Sequence, residues 1–396
     1  MQLVHTLDPF PTSVTRSVFL AGPTPRSRDV ASWRPAAIEA LAAAGWDGHV
    51  FVPESEAPGA ELDDAAYGRQ VAWEREGLAR ADAILCWVPR DMVTLPGLTT
   101  NVEVGLWATS GKLVLGLPAG AQHVRYLRAL AGTERIPVAA TLAEAAALVV
   151  ERVGPPLLRQ GGAAQVPLEV HRSAPFQRWL AAHTGAGNRL ERARVAFTLR
   201  GGPHHQLFAS AVRVELHQAA DGRTKSEVVL SRSDVASVVL LHRDPAGDLE
   251  RARVALVREF RCAVATEDGW LREPPGGSSH DPARSMRETA LDEVREETGL
   301  ELAPERLRPL GARQVAATLL SHQAHAWAVD LTDEEAARLE ASADQVHGAD
   351  ACERTWVELW PVAELLRRPI TDWTSVGLVL AAVTQGPTVK DMRLRS

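Results

Sequence analysis

The chain has 396 residues, of which 45% are hydrophobic and 23% charged, and it carries a formal net charge of −7. That length exceeds one ordinary core and predicts two domains. No apolar run approaches the ~20 residues of a membrane span, and without a basic block the electrostatic footprint of a nucleic-acid binder is missing.

The expectation is a soluble, cytoplasmic protein of small-molecule chemistry with neither a membrane nor a nucleic acid as partner. Its opening, MQLVHTLDPFPTSVTRS, is polar and proline-broken, unlike a secretory signal. Cys86, Cys262 and Cys352 form no CxxC pair and no even set, which fits a reducing compartment.

From Ser17 to Gly154 short apolar runs alternate with helical patterns, the order of βα units around a parallel sheet. Strands are predicted at 17–22 (SVFLAG), 49–54 (HVFVPE), 82–89 (DAILCWVP), 113–118 (LVLGLP) and 136–140 (IPVAA). Helices are predicted near 31–45, 65–81, 100–110, 124–132 and 141–152. This describes a doubly wound, flavodoxin-like parallel sheet of five strands, whose ligands bind at the carboxyl ends of the strands. AGPTPR, VPESE, VPRDM and LPAG then lie on the functional rim.

In the rim stretch LPGLTTNVEVGLWATSGK (95–112), Thr100 and Glu103 have the spacing of a capping box, which would spend Glu103 on the helix start. The place of Glu103 after the third strand offers another role, a carboxylate presented to a ligand.

Four stretches in order, VFLAGPTPR (18–26), WRPAAIEAL (33–41), VAWEREGLARADAILCWVPR (71–90) and TTNVEVGLW (99–107), resemble the nucleoside 2-deoxyribosyltransferase-like domain. The resemblance covers about residues 15–135. It implies that Glu103 is a nucleophile attacking the anomeric carbon of a nucleoside or nucleotide. A carboxylate suits that chemistry, because N-glycosidic cleavage passes through an oxocarbenium-like state that an anion stabilises or traps.

Asp82 and Glu74 are the candidates for the acid that assists the leaving base; their plainer roles are a strand-start aspartate and an exposed helix carboxylate. Gly22, Pro23 and Arg26 follow the first strand, where glycine lets backbone N–H groups approach a sugar or 5′-phosphate. Asn101 joins them as a candidate substrate-binding residue. Relatives often carry an acidic residue several positions before the nucleophile, where this chain has Gly97, Leu98 and Thr99. Base choice, and transfer versus hydrolysis, stay open.

The segment GPPLLRQGGAAQVP (154–167) breaks the pattern with prolines and glycines, so the boundary falls there. The predicted organisation is a first domain over 1–153, a linker over 154–193 with a short helix carrying Phe176, Trp179 and Leu180, a second domain over 194–386, and a tail over 387–396. Beyond Arg194 the β-rich runs RVAFTL, LFASAVRVEL, KSEVVL, VASVVLLH and RVALVREF are divided by turn signals. One helix stands out at 285–298, begun by the capping box Ser285-x-x-Glu288, and two more follow.

On that helix Glu293, Glu296 and Glu297 are three and four residues apart and project from one face. Like charges so placed repel by a few tenths of a kcal/mol per exposed pair. A bound hard cation reverses that cost; the plain alternative is a solvated acidic face screened by Arg287 and Arg295.

Residues 271–300 resemble the Nudix hydrolase signature. VALVREFR (254–261), the Glu273-Pro-Pro-Gly-Gly run and RPITDWTSVGLVLAA (368–382) extend the likeness to ADP-ribose pyrophosphatases over about 195–386. The resemblance implies a mixed α+β fold in which Glu293, Glu296 and Glu297 hold Mg²⁺ or Mn²⁺ against a diphosphate, activating water. It also implies a substrate-binding role for Glu273, phosphate contacts from Arg258 and Arg261, and a homodimer through this domain.

The chain departs from that pattern at Asp292, where relatives have arginine, and at 283–284, where a loop glutamate is missing. The loop ATLLSHQAHAW (317–327) offers no glutamate base, leaving His322 as substitute. Two expectations follow. One is a bifunctional enzyme joining N-glycosidic chemistry to metal-dependent hydrolysis of an ADP-ribose-like diphosphate. The other is a degenerate Nudix domain that senses a nucleotide and regulates the first domain.

Overall fold

The computed structural model describes residues 1–25, 29–54, 63–202, 205–248, 250–266, 268–279, 284–348 and 354–385. Arg26, Ala283, Cys352 and the tail 387–396 lie outside the described residues. The chain folds as two units, Met1–Ser231 and Arg232–Ser396.

In the first unit a parallel sheet has the order β1 (Gln2–His5), β4 (His49–Val52), β3 (Ser17–Ala21), β5 (Ala83–Trp87), β6 (Leu113–Gly116) and β7 (Val138–Ala139). The five strands other than β1 follow the doubly wound order expected of a flavodoxin-like sheet. The sheet has six strands where the sequence predicts five. The sixth, β1, runs parallel to β4 at the edge in register Gln2↔His49 to His5↔Val52. It comes from the polar opening segment, whose exposed edge position requires no apolar run.

Alternation along the strands builds two cores. Phe19, Phe51, Ile84, Cys86 and Leu115 face helices α2 (Asp64–Arg80), α3 (Leu98–Trp107) and α4 (Arg125–Thr133). Val18, Leu20, Val50, Leu85 and Val114 face α1 (Arg34–Ala43) and α5 (Leu142–Val153). Burying each such large side chain contributes roughly 1.5–3 kcal/mol.

The stretch predicted as a linker packs into the first unit instead. β8 (Arg159–Gln160) pairs with β2 (Ser13–Val14), and α6 (Leu168–His171) and α7 (Ala174–Gly185) follow. Phe176 and Trp179 are buried against Leu190, Ala193, Val212 and Val214. Those residues belong to a three-stranded sheet of β9 (Arg189–Gly201), β10 (Gln206–His217) and β11 (Thr224–Arg232). The strands from 194 to 231, assigned by sequence to the second domain, therefore lie in the first unit. Local patterning marked them as β but held no information on which core would cover them.

The second unit has a mixed sheet whose path runs β14 (Trp270–Glu273), β13 (Arg253–Phe260), β12 (Val235–His242), β17 (Gln323–Asp330), β16 (Arg308–Gln314). β15 (Gly276–Gly277) joins β12 and β18 (Thr355–Pro361) joins β13. Ala236, Val238 and Leu240 pack with Ala290 and Val294 of α8 (Met286–Thr298) and Leu339 of α9 (Asp333–Ala341). On the other face Val239 and Leu241 pack with Val362 and Leu365 of α10 (Val362–Arg367) and Val379 of α11 (Trp373–Thr384). The result is an α+β layer arrangement. Among the described residues no helix is long and apolar enough to cross a membrane.

Candidate functional site

A cleft of about 230 Å³ opens at the carboxyl ends of β3, β4 and β5, lined by Gly22, Pro23, Arg34, Glu74, Gly97 and Glu103. This is where strand order reverses, the usual ligand position in such sheets. Gly22 has φ +141°, and a Cβ there would strike the Trp87 carbonyl and stand 2.8 Å from the Trp33 ring. Only glycine fits the turn, and its bareness lets a ligand reach the backbone.

Helix α3 starts at Gly97, which takes a left-handed φ of +55° as N-cap and offers no side-chain bond. The expected Thr100–Glu103 capping box does not form. Thr100 sits a turn inside the helix, fully buried with its hydroxyl unpaired. The glycine moves the helix start three residues upstream, so Glu103 is left for the cleft.

Glu103 is half-buried, and its pKa is pushed up to about 7, chiefly by burial, then by the Glu74 charge, against the opposing pull of Arg34. Glu74 is also raised by burial, countered by a hydrogen bond from Gln70 Nε2 at 2.9 Å and by Arg34. The Glu74 charge is therefore felt at Glu103 across the cleft.

Asp82 does not join them. It precedes β5, at the amino end of the strand, and both its oxygens are taken. Arg159 donates at 2.8 and 2.7 Å, Leu168 N at 2.7 Å and Ser17 N at 2.7 Å. It is a buried structural hub, because an aspartate at the wrong end of a parallel strand cannot reach the rim. Asn101 lies on the exposed side of α3, where its Oδ1 accepts from Arg90 at 2.6 Å, and it does not line the cleft.

Sequence reasoning overlooked Arg34 and Glu54. Arg34 is 2% exposed. It donates to Gly22 O at 2.9 Å and Leu20 O at 3.3 Å, and pairs with Glu54, which also accepts from Ser32 Oγ at 2.8 Å. The only signal for Arg34 was its place in WRPAAIEAL, a motif read as a whole and not residue by residue.

In the second unit, period-2 geometry separates residues grouped by sequence. Glu259 and Glu273 stand close enough to act on Glu297, and Arg261 bridges these two at 2.9 Å each. Glu297 accepts from Gly276 N at 2.9 Å. Its pKa stands well above the carboxylate range because of burial, with Glu293, Glu273 and Glu259 adding to the rise. The Glu293 carboxylate presses on Gly277, where any Cβ would collide with it.

Glu296 is turned out, exposed and paired with Arg295 at 3.2 Å. Arg258 lies on the opposite face of β13 from Glu259, beside Trp270, Trp356 and Glu358. Asp292 pairs with Arg284, and Arg295 approaches it at 3.4 Å. His322 is buried, and Ser285 and Glu288 form the expected capping box.

Glu293 and Glu297 share one locale, but Glu296 stands outside it and Glu273 is held by Arg261. Among the described residues no group of three or more His, Cys, Asp or Glu side chains is arranged to hold a metal. The three-glutamate centre implied by the resemblance is not assembled.

With the geometry established, comparison with known proteins identifies the first part of the chain. Residues 15–121 match the family described as nucleoside 2-deoxyribosyltransferase like. That span contains the cleft, so this part is a nucleoside 2-deoxyribosyltransferase-like domain. The match does not reach the second unit, and no curated protein matches the chain.

Proposed function

We propose that the first unit cleaves or transfers the N-glycosidic bond of a nucleoside or nucleotide, with Glu103 as nucleophile and Glu74 as proton donor to the departing base. The observation that carries this is the pairing of the two half-buried carboxylates in one cleft. Two carboxylates in one cleft supply one to attack C1′ and a second to protonate the base nitrogen. As the glycosidic bond breaks, its electron pair goes to the base and the sugar is trapped on the carboxylate, then passed to water or to a second base.

The test is incubation of the full chain with nucleosides, nucleoside monophosphates and NAD, followed by chromatography. Base release that disappears in Glu103→Gln supports the reading, and no release from any of them overturns it.

For the second unit we infer nucleotide binding that regulates the first, without Mg²⁺-dependent hydrolysis. Glu296 outside the acidic cluster, and the Asp292–Arg284 pair in place of a family arginine, favour this reading. Titration calorimetry with ADP-ribose decides it: binding with no AMP formed supports a sensor, whereas Mg²⁺-dependent AMP production lost in Glu297→Gln removes it.

A further inference from the structure

Resting on the reading of Glu103 as nucleophile, we propose that Arg34 is the positioning residue of the cleft. It pins the turn after β3 and supplies the cation of the cleft that Glu74 and Glu103 line.

The geometry begins with the turn. Arg34 holds Gly22 O and Leu20 O through separate nitrogens of one guanidinium, and reaches Thr24 Oγ1 at 3.4 Å. Its neighbour Trp33 donates Nε1 to Pro23 O at 3.0 Å, and the guanidinium lies 4.8 Å from the Trp33 ring centroid. Two adjacent residues at the start of α1 therefore fix the backbone of Gly22 and Pro23 and the hydroxyl of Thr24, three residues that line the cleft. A planar fork with several fixed donors does this; a lysine, with one point charge, cannot span the same set.

The charge follows from the same placement. Glu103 is faced by Glu74 from α2, Arg34 from α1 and Cys86 from β5, with Arg90 beside that thiol. Glu54, two residues beyond β4, pairs directly with Arg34. One guanidinium thus serves three carboxylates, and Glu74 and Glu103 compete for what field Glu54 leaves. The raised pKa of both fits this arrangement.

The experiment uses the full chain labelled with carboxyl-¹³C glutamate, the Glu103 resonance being assigned with Glu103→Gln. Removing the cation in Arg34→Gln should raise the Glu103 titration midpoint by about one unit or more, the usual effect of one neighbouring charge. Arg34→Lys should restore it towards the wild-type value. Glu54→Gln leaves the guanidinium uncompensated and should lower the midpoint.

Midpoints unmoved in both Arg34→Gln and Glu54→Gln overturn the proposal. If circular dichroism shows Arg34→Gln unfolded, Glu54→Gln decides alone: a fall supports the role and no change ends it. The base-release assay keeps the two ideas apart. Release abolished in Glu103→Gln with unmoved midpoints defeats Arg34 only, whereas shifted midpoints in a protein that releases no base defeat only the nucleophile reading.

Discussion

Arg159 and Asp82 form a two-pronged ion pair buried from solvent, Nη1 to Oδ1 at 2.8 Å and Nη2 to Oδ2 at 2.7 Å. It fastens the segment after the parallel sheet to the start of β5. A proline- and glycine-rich stretch that reads as a linker is thereby made part of the first unit.

Removing one partner of such a pair leaves a buried charge unmatched and costs about 3–5 kcal/mol. Asp82→Ala should therefore lower stability by that order in urea denaturation, since Leu168 N and Ser17 N lose their acceptor as well. A variant of wild-type stability that had lost base release would instead make Asp82 catalytic.

Glu103 gives a signed dependence on pH. Its folded pKa, about 7, lies above the ordinary carboxylate value, so the folded state keeps a proton that the unfolded chain releases. That contribution is complete below the unfolded pKa and is lost as pH rises towards 7. Glu103→Gln should match wild type near pH 4 and exceed it at pH 8 by up to about 3 kcal/mol. Denaturant titrations at the two pH values measure this; equal differences at both would contradict it.

In Glu74→Gln the charge that raises Glu103 is gone. The acid limb of the base-release profile should move to lower pH while the maximal rate falls, because the donor is lost. Rates measured between pH 4 and 9 check the shift, and an acid limb moving upward would reverse the assigned sign.

The same linkage holds for Glu297, raised by burial and by three neighbouring carboxylates. Glu297→Gln should raise the melting temperature by a few degrees at pH 8, with the gain shrinking towards pH 4. A loss of stability at pH 8 would show that the ionised carboxylate is needed there.

Gly22→Ala tests the cleft wall. At φ +141°, with the Trp87 carbonyl and Trp33 ring in the way, a methyl group costs on the order of 3 kcal/mol of strain and displacement. Thermal melts should show the loss, and base release should fall with it. An unchanged melt would mean that the turn yields freely.

What could be read from sequence was local and periodic. Apolar runs of four or five residues between amphipathic stretches located β3 to β7 and α1 to α5, because a strand buried on both faces must be apolar throughout. The same pattern put Gly22, Pro23 and Glu103 near one rim, whereas Glu74 entered only as a candidate acid beside the family resemblance. β1 was missed because an edge strand needs little burial.

Helix α3 shows a conflict of local signals. Thr100-x-x-Glu103 has the letters of a capping box, yet Gly97 took the N-cap and Thr100 went into the core. In α8 the same letters did form the cap. Tertiary packing, not spacing, chose between them.

By itself, then, the sequence determined the alternation of strands and helices, the rim of the first sheet and the acidic helix at 286–298, since each depends on residues close along the chain. Only the tertiary structure decided that Asp82 is a buried anchor, that Arg34 lines one cleft with Glu74 and Glu103, that Arg258 and Glu259 face opposite ways, and that 154–231 belongs to the first unit. Those outcomes depend on which distant side chains share a low-dielectric space, and charge and hydrogen-bond partners are fixed there by packing across the fold, not by spacing along it.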